Sequence, residues 1–231
     1  MYISKRNGFQ LRGASKKEKV QKEVMYSESE VAEILDNELA EQHQQMQSMM
    51  PSESGVEVED NKIFFYCPVD QKEMLALNRA ISKLGTEMQI IALKLGQPTP
   101  GTIELHIQSN GGSVFAGLSA TDYILKSKVP IHTYVDGNAA SAATFMSIVG
   151  ARRYMHKNSF MLIHQLSSGM EGKLSEMKEE MVNFDMFMQT IRQLYKDHTK
   201  MSFEQIDALL AKDTWLDSKT CLEYGLVDEI L

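Results

Sequence analysis

Apolar residues change their spacing at about Val56, and the change divides the chain. Residues 1–55 are rich in Lys, Glu, Gln and Ser and poor in strand formers. One helix is predicted among them. Ser27 and Glu30 form an S-x-x-E capping box, which satisfies free amides at a helix start, and Val31, Ile34, Leu35 and Leu39 then share one face. Glu41–Gly55 reads as the helix end and a linker, with Pro51 as the stop. The segment is expected to serve interaction or assembly.

From Val56 to Leu231, strand and helix patterns alternate. Strands are predicted at Lys62–Tyr66, Thr102–Gln108, Pro130–Val135, around Tyr154, and at Phe160–His164. Helical spacing marks Gln71–Leu84 through Met74, Leu77, Ile81 and Leu84; Gly85–Gly101 then separates that helix from the next strand. Further helices are predicted over Val114–Lys126, from about Ala140, over Lys173–His198, and from the Ser202/Gln205 cap to Leu210. In the long one, Leu174, Met177, Phe184, Met188, Ile191 and Tyr195 are the apolar positions. Alternation of this kind predicts an α/β domain with largely parallel pairing.

Composition narrows the setting. A net charge of -7 argues against broad attraction to nucleic acid or to an acidic membrane surface. No apolar run is long enough to span a bilayer, and the basic N-terminus lacks the apolar core of a secretory signal. Cys67 and Cys221 are far apart and fit no metal spacing, so a reducing, cytoplasmic setting is expected. The 16 methionines, at helical spacing, read as core filler.

Two strand-to-helix turns carry candidate chemistry. Gln108–Gly112, QSNGG, lets backbone amides approach a ligand closely, either a phosphate or the oxyanion of acyl transfer. A tight turn without a ligand has the same sequence. Asp136–Ala143, DGNAASAA, presents Ser141 between alanines, so nothing bulky covers its hydroxyl. The arrangement resembles a nucleophile elbow, with Ala143 where the second glycine would stand; a plain helix N-cap reads the same way. A nucleophilic serine needs a base. His43 lies in the polar segment, His106 and His132 sit mid-strand, His156 follows two arginines, and His198 ends a helix where a cation suits the dipole. His164 leaves the apolar run FMLI for a Ser/Gly loop, as a general base at a cleft wall would. For the group that orients the base, Asp122, Asp136, Asp185, Asp197, Asp207, Asp213, Asp217 and Asp228 all remain open.

Taken in order, QSNGG with its following AG, DGNAASAA, NSFMLIHQ and KDTWLDSKTCLEYGLVDEIL resemble the successive signature blocks of the Clp protease proteolytic subunit (ClpP) family, over about residues 62–231. The resemblance implies a crotonase-like fold with Lys173–His198 as its handle helix. It implies a serine endopeptidase in which Ser141 is the nucleophile, His164 the base and Asp213 the orienting acid. Gly111 and Ala142 match the two positions whose amides form the oxyanion hole. No metal and no cofactor is required. The family assembles as stacked heptameric rings and receives unfolded protein from an ATP-driven AAA+ unfoldase. The present chain has no G-x-x-x-x-G-K-[ST] loop, so ATP use would fall to such a partner.

Departures from the family pattern are Asn110 for a proline, Ala143 for a glycine, and Ala211-Lys212 in place of an acidic–Arg pair. They and the polar N-terminal segment would also fit a phage head-maturation protease on the same fold. A non-catalytic ring subunit, a Ser–Lys peptidase and a crotonase-like binder of coenzyme A are further alternatives. Retention of serine, histidine and aspartate in order speaks against all three.

Overall fold

The computed structural model describes residues 54–169 and 171–231. The helix predicted after Ser27, and His43, lie outside them.

The described chain opens with a hairpin that the sequence pattern did not predict in full. Strand β1 (Val56–Glu59) pairs antiparallel with β2 (Lys62–Phe65) across a two-residue turn. Asp60 takes φ 52° there, a left-handed conformation that aspartate tolerates better than most residues. Helix α1 (Gln71–Leu95) follows, capped by the Asp70 side chain on the Glu73 amide at 2.9 Å. It runs eleven residues past its predicted end at Leu84, through the segment expected to be a separator. One helical glycine costs only about 1 kcal/mol. Gly85 is buried, and the following TEMQIIALKL contains strong helix formers. Gly96, at φ 63°, provides the stop.

Next come β3 (Ile103–Ser109), α2 (Val114–Leu125), β4 (Ile131–Ala140), α3 (Ala142–Ser147), β5 (Arg152–Met155) and β6 (Phe160–Leu162). The chain closes with α4 (Leu174–His198), α5 (Phe203–Leu210), β7 (Trp215–Asp217), α6 (Ser218–Glu223) and β8 (Glu229–Ile230). The capping box at Ser202 and Gln205 forms as predicted. Strands β7 and β8 and helix α6 were not predicted.

The sheet runs β1-β2-β3-β4-β5-β8, parallel from β2 onward. Strand β4 is longer than predicted and serves two neighbours. His132–Val135 pairs with β5, and Asn138–Ala140 pairs with β6, which pairs antiparallel with β7. Alternation in β3 sends Ile103, Leu105 and Ile107 fully into the core. The opposite face carries a stack of rings: Phe64–His106 at 4.9 Å, then His106–Tyr134 and Tyr134–Tyr154 at 4.7 Å each.

Helix α4 buries only Ile191 and Tyr195. Leu174, Met181, Val182 and Met186 are exposed along the rest of its 25 residues, as in a helix that projects from its domain. Among the described residues, no helix is long and apolar enough to cross a membrane.

Candidate active site

The β4–α3 junction is strained where chemistry was expected. Ser141 has φ 54° and ψ −129°, a backbone state that L-residues rarely adopt. Its amide donates to the Leu162 carbonyl at 2.8 Å, continuing the β4–β6 ladder. Its own carbonyl accepts from the Thr144 amide at 2.9 Å and from Thr144 Oγ1 at 2.6 Å. The Ser141 side chain makes no capping bond, so the N-cap reading does not hold for its hydroxyl. Ala142 and Ala143 are fully buried beneath it. The side chain at the position of the missing glycine is thus accommodated inside the core.

The glycine turn lies directly against this junction. Gly111 has φ 86°, and a Cβ there would come within 2.5 Å of the Ala140 carbonyl oxygen, 2.7 Å of Ser141 Cβ and 3.1 Å of the Ala142 nitrogen. Only glycine permits that approach. The Gly111 amide, expected to face a substrate oxygen, donates instead to Ser109 Oγ at 3.2 Å, while Ser109 Oγ donates to the Cys67 carbonyl at 2.6 Å. Gly111 is buried and Gly112 is exposed. Among the described residues the Gly112 amide has no acceptor. Two adjacent glycines look alike in sequence; the Ser109 hydroxyl, two residues upstream, was the one available hint of which amide is occupied. Asn110, standing in place of a proline, accepts from Asn138 Nδ2 at 2.8 Å, and the same nitrogen donates to the Ser109 carbonyl at 3.1 Å. A side-chain clamp from β4 thereby holds the turn.

Strand register brings the histidine and aspartate together. Strands β6 and β7 pair Phe160 with Asp217, Met161 with Leu216, and Leu162 with Trp215. Continued two residues, the same register sets His164 opposite Asp213. Their side chains meet there, His164 Nδ1 lying 3.7 Å from Asp213 Oδ1. That is ion-pair range and longer than a hydrogen bond. Asp213 is 83% exposed, on a loop between α5 and β7, and His164 is 22% exposed. The Gln165 amide bonds the Leu210 carbonyl at 2.9 Å and ties the histidine's segment to the end of α5. Ser141 and His164 leave adjacent parallel strands at their carboxyl ends, one residue past Ala140 and two past its partner Leu162.

The tightest histidine–carboxylate pair lies elsewhere. His106 Nδ1 is 2.9 Å from Asp136, which also accepts from the Tyr66 hydroxyl and faces His156 Nε2 at 3.3 Å. Burial would raise the Asp136 pKa; hydrogen bonds from His106 and Tyr66 and the nearby His106 and His156 charges outweigh it and hold the carboxyl below its ordinary range. This network belongs to the stacked outer face of the sheet. The nearby Ser159 hydroxyl is buried and donates to the Val135 and Asp136 carbonyls, so it is no nucleophile.

At His198, burial lowers the pKa and disfavours the cation expected at that helix end. Arg153 supplies the charge instead, donating from Nη1 to the His198 carbonyl at 2.5 Å. The two cysteines are free thiols. Burial, with the Glu73 and Asp70 charges, pushes Cys67 up to about 12, and burial pushes Cys221 up to about 12. Neither forms a thiolate near neutral pH. Ser141 is therefore the nucleophile candidate with a free hydroxyl, a histidine on the adjoining strand and amides beside it, the set that acyl transfer needs.

A family model described as Clp protease matches residues 71–231. The ATP-dependent Clp protease proteolytic subunit 2 of Mycolicibacterium paratuberculosis is 32% identical over 145 residues, covering 62% of this chain and 72% of the relative. Proteolytic subunit 3 of Streptomyces coelicolor is 31% identical over 166 residues, covering 67% of this chain and 76% of the relative. Among solved structures, a ClpP1 mutant from Listeria monocytogenes matches with TM-score 0.64 over 74% of this chain and 91% of its own, at 23% identity. That likeness shows the fold.

Proposed function

Because the chain belongs to the Clp protease family and is a serine-type peptidase, we propose that it hydrolyses peptide bonds in unfolded or delivered protein through Ser141, His164 and Asp213. The observation that carries the assignment is the β6–β7 register, which sets His164 against Asp213 beside the end of β4. With Nδ1 turned to Asp213, Nε2 is the nitrogen left to take the Ser141 proton. Ser141 Oγ attacks the substrate carbonyl as that proton leaves. His164 then gives the proton to the departing amine, and water, deprotonated by the same histidine, releases the acyl group.

The developing oxyanion sits against backbone amides. We assign these to Ala142 and Gly112, because the expected Gly111 amide is engaged by Ser109 Oγ. Gly111 has the complementary role of letting the turn approach Ser141.

Assembly forms the second part of the proposal. The exposed apolar side chains of α4 suit contacts between copies in heptameric rings stacked as a tetradecamer. ATP-driven unfolding is assigned to a separate AAA+ partner, since the sequence carries no phosphate-binding G-x-x-x-x-G-K-[ST] loop. Residues 1–55 are read as an arm appended to the peptidase domain of 56–231. Two free cysteines with undissociated thiols fit a cytoplasmic setting.

The test is a fluorophosphonate probe, which phosphonylates an activated serine. Assembled wild-type protein should label, and Ser141→Ala should not. Label that persists in S141A, or none in assembled wild type, would sink the assignment. Native mass tests the ring separately.

A further inference from the structure

Acyl transfer at Ser141 requires the Ala142 N–H to point at the substrate oxygen, and one peptide plane sets that direction. In a trans peptide the Ser141 C=O and the Ala142 N–H lie on opposite edges of the same plane, so whatever grips the carbonyl aims the amide. We propose that Thr144 and Tyr195 are positioning residues that aim the Ala142 amide by holding the Ser141 carbonyl through a buried hydroxyl relay; this rests on the triad assignment above.

The direction of the relay follows from proton counting. Thr144 Oγ1 lies 2.6 Å from the Ser141 carbonyl oxygen and 2.5 Å from the Tyr195 hydroxyl. A carbonyl only accepts, so the single Thr144 hydroxyl proton goes to Ser141. Tyr195 must then donate to Thr144 Oγ1. Both residues are buried, Thr144 fully and Tyr195 to within 1%. Burial raises the Tyr195 pKa far above the ordinary phenol range, so the donor keeps its proton at every working pH.

The Thr144 amide alone, at 2.9 Å, would make an ordinary helix-start contact. The hydroxyl relay adds a second grip on the same oxygen. That grip matters because Ser141, at φ 54°, sits in a strained state. Rotating the 141–142 peptide would relieve the strain and turn the amide away from the site. Tyr195 is one of the two buried side chains of α4, and its hydroxyl links that helix to the nucleophile's carbonyl through Thr144.

The experiment uses the full assembled chain with Thr144→Val, Thr144→Ser and Tyr195→Phe. Three quantities are read: the rate of fluorophosphonate labelling, kcat and KM on a fluorogenic peptide, and affinity for a peptide boronate, whose tetrahedral adduct places an oxygen at the amides. Losing an oxyanion donor outright costs about 100- to 1000-fold, so a misaimed one should cost less. T144V is expected to slow labelling and kcat about 10- to 100-fold and Y195F about 3- to 10-fold, with boronate affinity falling in step. KM should stay within about two-fold, and T144S should restore most of the rate.

T144V and Y195F that label within about two-fold of wild type overturn the inference, as does T144S as slow as T144V. A loss that appears in KM and leaves boronate affinity intact overturns it too. If T144V fails to fold, Y195F, which removes one oxygen atom, decides by the same readouts. Wild type that does not label overturns the triad assignment, and the relay with it; labelled wild type with unaffected variants overturns the relay alone.

Discussion

Replacing Gly111 by alanine tests how tightly the glycine turn and the nucleophile are built around each other. The backbone at Gly111 has φ 86°, where an L-residue pays about 1–2 kcal/mol in steric strain. The new methyl would also lie 2.5 Å from the Ala140 carbonyl oxygen and 2.7 Å from Ser141 Cβ. Ordinary contact begins at 3.4 Å, so the turn and the β4 end must part by about 1 Å. Overpacking of that kind costs about a further 1–3 kcal/mol. The sum, about 2–5 kcal/mol, corresponds to a melting point lowered by about 5–15 °C for a domain of this size. The chemical consequence is larger in proportion. A 1 Å misplacement of reacting groups costs about 100-fold in rate, so labelling of Ser141 by a fluorophosphonate should slow by at least that factor. Gly169→Ala is the control, because a Cβ at Gly169 meets nothing within 4 Å. G111A that melts within about 1 °C of wild type and labels at an unchanged rate would refute the close approach of turn and nucleophile.

Two further predictions concern the frame around the site. The Asp136 carboxyl is held below its ordinary range, so its contribution to stability is full above the unfolded value near 3.8 and is lost as pH falls through the lower folded value. The melting-point advantage of wild type over Asp136→Asn should therefore shrink as pH falls below about 4; an advantage that keeps growing across that range would reverse the assigned sign. Arg153 holds Asp228 through Nε at 3.1 Å and Nη2 at 2.5 Å, and donates to the His198 carbonyl, joining β5 to the ends of α4 and the chain. Arg153→Met should cost about 2 kcal/mol, less than a fully buried pair because Asp228 keeps 36% exposure, with a melting point lower by about 4–8 °C and little change in labelling at 25 °C.

Much of the fold is legible because the sheet core obeys a simple period. Ile103, Leu105 and Ile107 alternate in sequence and all face the interior. Elements that escaped the pattern did so for identifiable reasons. Strands β7 and β8 have 3 and 2 residues and helix α6 has 6, too short to show any periodicity. They exist because partners supply their hydrogen bonds. Helix α1 outran its predicted end because a lone glycine punctuates a helix only when the backbone turns left-handed, as at Gly96 and not at Gly85. Strand β4 outran its own because Asp136, Gly137 and Asn138 look like a turn in isolation. Asn138 is instead paired with Phe160 and clamps the glycine turn through Nδ2.

The candidate site divides along the same line. Ser141 is only partly legible from its turn, because a serine at a strand-to-helix junction reads equally as a helix N-cap; its ordered company with Gly111, His164 and Asp213 is what marks it as the nucleophile candidate. Asp213 is not, since eight aspartates compete on equal terms and nothing local separates them. What selects Asp213 in three dimensions is counting: each step along β6 toward His164 is matched by one step back along β7 toward Asp213. A strand's side chains alternate faces, so a slip of one residue in that pairing would set Lys212 or Thr214 opposite the histidine. Lys212 would repel an imidazolium, and Thr214 carries no charge to stabilise one. The geometry of the proposed base therefore depends on the buried residues that pin the register, Met161 and Leu216, as much as on the aspartate itself. Family motifs can name the acid from its neighbours, but only the pairing of two three-residue strands explains why an exposed carboxylate on a loop lies 3.7 Å from the histidine it is proposed to orient.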